Sequence, residues 1–181
     1  MQEDIRINRL TSLGEPASIT ALSEILIDCV DGGASVSFMH PLTLTRAENF
    51  WRGVAPGVAA GERILLVAQD RDATILGTIQ VLLSQPENQP HRADVAKLLV
   101  HRKARQAGLG AALVTAAENS AALAGKRLLV LDTVTGGTAE RLYKRLGWQV
   151  SGIIPDYALW PTGGLCATTV FYKKIGSDEL A

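Results

Sequence analysis

The stretch Arg105-Gln106-Ala107-Gly108-Leu109-Gly110 lies between an apolar, strand-like run, Val95 to Val100, and an alanine-rich helical run, Ala111 to Ala124. A strand that passes through a glycine-bearing loop into a helix builds an anion site from backbone alone. The first N–H groups of the helix lack intrahelical partners, and the helix dipole is positive at that end. Glycine lets the loop curl and lets a phosphate approach with no Cβ in the way. Just beyond, Leu128 to Thr133 is a strongly apolar run, as expected for a strand in the middle of a parallel pair.

The rest of the chain supplies the partners of this unit. Ile5 and Ile7 alternate with polar residues as in a strand. Glu15 to Val30 has helical spacing and is stopped by Asp31-Gly32-Gly33, while Ala34 to Leu42 has no period. Thr43 to Ala60 reads as a helix capped by Thr43 or Thr45 and ended early or kinked by Pro56. Arg63 to Asp70 and Thr74 to Ser84 read as a hairpin, and Ala93 to Val100 as a fourth strand. A short helix, Ala139 to Leu146, precedes two last strands, Trp148 to Ile154 and Ala167 to Ile175, joined by a long loop with Pro155, Pro161, Gly163 and Gly164. The order predicts one mixed α/β domain over residues 1–181.

Composition narrows the class. The chain has 181 residues, 47% of them hydrophobic and 20% charged, which fits a folded domain with a real core. Lys plus Arg equals Asp plus Glu, so no basic excess points to nucleic acid. Cys29 and Cys166 lie far apart with no metal-like spacing, and no metal is expected. No apolar run reaches the roughly 18 residues of a membrane span. A reduced, cytoplasmic protein without membrane or nucleic-acid partners is the expectation.

Two nucleotide readings of the loop fail on its residues. A P-loop needs Lys-Ser/Thr after its last glycine, but Gly110 is followed by Ala111 and Ala112. A dinucleotide fingerprint needs a third glycine where Leu113 stands, and a tight turn where His101 to Ala107 intervenes. The spacing Arg105-x-x-Gly108-x-Gly110 instead resembles motif A of the GNAT superfamily of N-acetyltransferases. Ala139-x-x-x-Tyr143-x-x-x-Gly147-Trp148 resembles motif B, in the right order and one strand later. Within that superfamily, Val30 to Met39, Arg92 to Leu98 and Leu131-Asp132-Thr133 are similar to the tabtoxin-resistance acetyltransferases.

The resemblance implies a single-domain fold with a seven-stranded, mostly antiparallel sheet, a splayed parallel central pair and about four helices. It implies acetyl-CoA as co-substrate, held by backbone of Arg105, Gln106, Ala107, Gly108, Leu109, Gly110 and Ala111, by main chain of Leu98, Leu99 and Val100, and by Ala139. A β-bulge in the fourth strand would free N–H groups there. Gln106 and Ala107 replace the family's usual Gly and Arg, so Arg102 or Lys103 is expected to supply the missing cation.

Acetyl transfer to an amine needs a deprotonated nitrogen, donors for the oxyanion, and a donor for the leaving thiolate. The resemblance assigns the last role to Tyr143; Leu142 and Leu146 are expected to make the core contact of its helix. It places Asp94 and Asp132 beside the acceptor amine, as base or as electrostatic anchor. Free Asp titrates near 3.9, so a base would need a raised pKa or an ordered water. A turn residue and a helix-approach cap are their alternative readings. Gly32, Gly33, Phe38 and Met39 are expected to wall the acceptor, and Tyr157 and Trp160 to cover it or to meet a second copy. The expected acceptor is a small-molecule amine, and the protein a monomer or homodimer. A non-catalytic acyl-CoA-binding domain and a protein acetyltransferase are the competing readings.

Overall fold

The inner strands Arg63–Gln69 and Ile75–Leu82 are buried on both faces because their apolar runs are nearly continuous, and helices must then cover both sides of the sheet there. The computed structural model, which describes residues 5–176, has this arrangement. The elements run β1 (Arg6–Leu10), α1 (Pro16–Asp31), α2 (Leu44–Ala59), β2 (Arg63–Gln69), β3 (Ile75–Leu82), β4 (Arg92–Val100), α3 (Leu109–Leu123), β5 (Leu128–Val134), α4 (Thr138–Arg145), β6 (Gln149–Leu159) and β7 (Leu165–Lys174). They form one seven-stranded sheet in the order β1-β2-β3-β4-β5-β7-β6. Every neighbouring pair is antiparallel except β4 and β5. The expected single-domain α/β architecture, with its parallel central pair and four helices, is the one observed.

The parity of β2 shows how the two layers are built. Ile64, Leu66 and Ala68 join a core with α3, α4, β5 and β7, including Leu113, Val114 and Phe171. Leu65 and Val67 face the other way, into a core with α1 and α2 around Trp51, Leu22 and Leu26. Each large side chain so buried stabilises the fold by about 1.5–3 kcal/mol.

Two local expectations are corrected. Pro56 does not end α2, which runs to Ala59. Only the last turn follows Pro56, so the helix loses little beyond the one N–H bond that proline cannot make. Thr43 is the cap, its hydroxyl accepting from the Arg46 amide. The long loop before the last strand is instead a hairpin turn over residues 160–164, because β6 extends to Leu159. Pro155 lies within β6, where pairing with β7 is irregular between Ile154 and Ala158 and Asp156 has φ +53°. An edge strand tolerates proline at such a break. Tyr157 is therefore a strand residue.

Candidate functional site

The loop after β4 positions its amides by backbone geometry. A 3₁₀ turn over Arg102–Ala104 takes up the residues that separate strand from helix. Gln106 and Gly108 then adopt left-handed conformations, with φ +67° and +76°. The buried Leu109 anchors the start of α3, two residues earlier than the alanine run suggested. Among the described residues, none of the amides from Gln106 to Ala111 donates a hydrogen bond; the first helical bond is from the Ala112 amide to the Gly108 carbonyl, 3.1 Å. A Cβ on Gly110 would lie 3.2 Å from Leu142 Cδ2, so glycine permits α3 to approach α4. The result is a row of open N–H groups at the positive end of a helix, which fits a pyrophosphate.

Two arginines beside this loop turn toward α1 and β4. Arg105 Nε donates to the Val100 carbonyl at 3.1 Å, and its guanidinium lies 3.9 Å from Asp28 on α1. Arg102, expected as the substitute cation, gives both its amide and its guanidinium to the Asp28 carboxylate. Lys103 remains exposed. Burial alone would raise the Asp28 carboxyl, but the Arg102 amide and guanidinium, with His101, outweigh it and hold the carboxyl below the usual range.

The second part of the site is an opening in the sheet. Strands β4 and β5 pair only from Arg92/Leu128 to Asp94/Val130. Past that point β5 pairs with β7 alone, so one edge of β4 from Val95 to Val100 faces a gap. The register between β3 and β4 shifts here, with Lys97 and Leu98 together opposite Ile79, and Lys97 has φ +53°. This is the expected bulge. It also resets parity. Ala93 and Val95 face the α3 core, and strict alternation would send Lys97 there too. With the extra residue, Leu98 and Val100 pack on that core instead, and Leu99 joins the α1–α2 core.

Three side chains converge on the gap. Tyr143 on α4 is buried at 5% exposure, its ring against Trp148 and Phe171 at 5.6 and 5.9 Å between centroids. It is therefore itself a core residue, and the expectation that Leu142 and Leu146 alone would make that contact is corrected; they are only partly buried. The Tyr143 hydroxyl has no hydrogen-bond partner among the described residues. Burial, and then the negative charge of Asp132, push its pKa well above the usual value near 10. Asp132, on β5, is exposed and accepts from the Thr168 hydroxyl at 2.8 Å. Lys97 stands across the gap on β4, close enough for Asp132 to favour its charged form.

Asp94 differs from Asp132. It lies in the last closed pair of the parallel ladder, on the same face as Asp132. Its carboxylate is held by the Arg92 guanidinium and accepts from Gln85 Nε2 at 3.1 Å.

The segment between α1 and α2 divides between the two ends. Gly32 is the C-cap of α1, and a Cβ there would lie 3.6 Å from an Arg105 guanidinium nitrogen, so it adjoins the loop after β4. Gly33 has φ +84° and is exposed. Phe38 packs edge-on against Phe50 of α2, 5.3 Å between centroids, and Met39 is exposed. The β6–β7 hairpin pins this segment: the Leu159 carbonyl accepts from the Ser35 hydroxyl at 2.9 Å, and the Pro161 carbonyl from the His40 amide at 2.9 Å. Ala139 lies in the first turn of α4, partly buried.

The structure thus brings Leu98, Leu99, Val100, the loop to Ala111, Tyr143 and Asp132 around one opening. It leaves Asp94 at the closed end of the pair. Sequence reasoning missed Lys97, Ser37 and Phe50 as neighbours of the gap. One signal for Lys97 was available: a lysine at an inward position of an otherwise apolar strand forecasts a bulge or a functional site.

Comparison with known proteins agrees with this geometry. The acetyltransferase (GNAT) domain family matches residues 61–150. An uncharacterized N-acetyltransferase from the hisH–hisA intergenic region of Azospirillum brasilense is 30% identical over 131 residues, covering 71% of this chain and 75% of the relative. A GCN5-related N-acetyltransferase from Kribbella flavida superposes with a TM-score of 0.77 at 25% identity, over 94% of this chain and 98% of that one. The Salmonella typhimurium protein yncA, solved with its cofactor acetyl-CoA, superposes with a TM-score of 0.78 at 16% identity, over 98% of each chain.

Proposed function

Because the chain belongs to the GNAT family of N-acetyltransferases, we propose that it transfers the acetyl group of acetyl-CoA to the primary amine of a small molecule, by direct attack in a ternary complex. The observation that carries this reading is the combination at one opening: unpartnered loop amides, a bulged strand edge, and an exposed carboxylate beside a buried phenol. A fold relative solved with acetyl-CoA supports the choice of co-substrate.

Acetyl-CoA supplies an activated thioester carbonyl and a thiolate leaving group. The amides of Gln106 to Ala111 would hold its pyrophosphate, with Arg105 bracing the loop from behind through Val100 and Asp28. The open edge of β4 at Leu98 and Leu99 would receive the pantetheine arm as an added strand, and amides at the bulge would donate to the carbonyl oxygen. Ala139 would flank this arm from α4.

Tyr143 would stabilise the departing sulfur. Its raised pKa keeps the phenol protonated at neutral pH. A thiol titrates near 8.5, so a phenol above 10 stabilises the thiolate as a hydrogen-bond donor rather than by full proton transfer. Asp132 would attract the acceptor's ammonium and take its proton, directly or through water. Asp94, already engaged by Arg92 and Gln85, would hold the pocket's charge balance as a second carboxylate on that face. Phe38 and Met39, with the Gly32-Gly33 bend behind them, would wall the acceptor.

The narrower likeness to tabtoxin-resistance enzymes favours an amino-acid-like toxin or antibiotic as acceptor, handled by one soluble domain in the cytoplasm as a monomer or homodimer. The test is release of free thiol from acetyl-CoA against a panel of amines and of peptides with free N-termini. Turnover with small amines is expected. Acetyl-CoA binding without turnover on either set would favour a binding module, and turnover on peptides alone would favour a protein acetyltransferase.

A further inference from the structure

Lys97 has a half-buried ammonium with too few partners. Its Nζ donates to the Ser37 hydroxyl at 3.1 Å and lies 5.7 Å from the Phe50 ring centroid. An ammonium carries three donors, and no carboxylate lies within ion-pair distance of this one among the described residues. The two carboxylates on one face of the β4–β5 pair have other partners: Asp132 accepts from Thr168, and Asp94 is held by Arg92 and Gln85. Burial lowers the Lys97 pKa, Asp132 counters that, and Arg63 adds to the lowering. A half-buried positive charge without a paired counter-ion is costly, and an arriving anion would relieve that cost.

The surroundings show the same surplus of donors. Gln80 pairs with Ala96, next to Lys97 on the ladder, and shares its face of the sheet. Gln80 Nε2 and Trp51 Nε1, the latter beside Phe50 on α2, are fully buried without a partner among the described residues. Gln80 Oε1 is already taken by Arg63. Unmatched donors thus lie on the α1–α2 side of β3 and β4, and the exposed carboxylate of Asp132 stands across the gap on β5.

We propose that Lys97 binds a carboxylate of the acceptor, so that the substrate is an amino carboxylate lying across the gap, its ammonium toward Asp132 and its carboxylate toward Lys97. This rests on the acetyltransferase reading and names the substrate class of that site. Lys97 is then a specificity-determining residue, while the loop and Tyr143 serve any amine.

The experiment compares free amino acids with their amides and with the matching decarboxylated amines, in wild type, Lys97→Met and Lys97→Arg. In acetyl-CoA turnover, wild type should favour the acids by about tenfold or more in kcat/KM, the worth of one charge-assisted contact. Lys97→Met should lose that preference, its ratio of kcat/KM on the acids to kcat/KM on the decarboxylated amines falling to about one whatever its absolute rate, and Lys97→Arg should recover part of the ratio. Equal wild-type rates on acids and amines, or an intact preference in Lys97→Met, would overturn the proposal. Calorimetric titration of the same compounds into the CoA-loaded protein separates the two readings. Acids that bind through Lys97 without being acetylated would reject the acetyltransferase reading alone. No binding of any acid would reject the carboxylate site.

Discussion

The proposed cofactor end and the proposed acceptor end of the opening are built on different principles. The loop from Arg105 to Ala111 presents backbone amides, set by two left-handed residues and a helix start, and its one charged side chain, Arg105, turns toward Asp28 and Val100. The acceptor end presents side chains from separate segments: Lys97 from β4, Asp132 from β5, Ser37 and Phe38 from the α1–α2 segment, and Phe50 from α2. A backbone site depends on conformation and tolerates many residues. A side-chain site depends on charge and identity, and can change acceptor without disturbing the loop. Tyr143 stands between the ends, a core ring with a free hydroxyl.

Substitutions can break this comparison. The largest effect is expected for Tyr143→Phe, which removes one oxygen from a packed ring. kcat should fall by about 100-fold, the lower range for loss of one hydrogen-bond donor to developing charge. The acetyl-CoA dissociation constant should stay within about twofold, because the loop is untouched. Single-turnover kinetics read the first quantity, and a fall in affinity equal to the fall in rate would move Tyr143 to the cofactor end.

Gly108→Val should act in the opposite sense. A β-branched residue at φ +76° strains the backbone by about 1–2 kcal/mol. Relaxing that strain would turn the loop amides, and acetyl-CoA should bind roughly tenfold more weakly. The relative kcat/KM values for different amines should not change.

The smallest effect concerns the brace behind the loop. The Asp28 carboxyl is held below its ordinary pKa, so its charged form stabilises the folded state above the unfolded value near 4. That contribution is lost as pH falls through the folded pKa. Asp28→Asn should lower Tm at pH 7 by roughly 2–4 °C, for about 1 kcal/mol in a domain of this size. The gap to wild type should narrow below about pH 4. A gap that does not depend on pH would mean that Asp28 acts by packing rather than charge.

The same contrast explains what could be read from the chain. The strand–loop–helix unit was legible because Gly108 and the apolar runs around it state a backbone conformation locally. The two motifs then carried the fold. The acceptor end was less legible because its members are distant in sequence and each has an ordinary alternative. Asp94 and Asp132 looked equivalent until Asp94 proved to share its charge with Arg92 and Gln85. Lys97 is placed by a bulge that shows only in the register with β3. The β6–β7 hairpin was misjudged because Pro155 suggests a break, whereas an edge strand absorbs it as an irregularity.

The most direct test of the division between the two ends is the acetyl-CoA dissociation constant, by titration calorimetry, of wild type, Gly108→Val and Asp132→Asn. The structure predicts about tenfold weakening for Gly108→Val and a value within twofold of wild type for Asp132→Asn. Equal weakening in both would contradict it, since acceptor-side charge would then be part of the cofactor site.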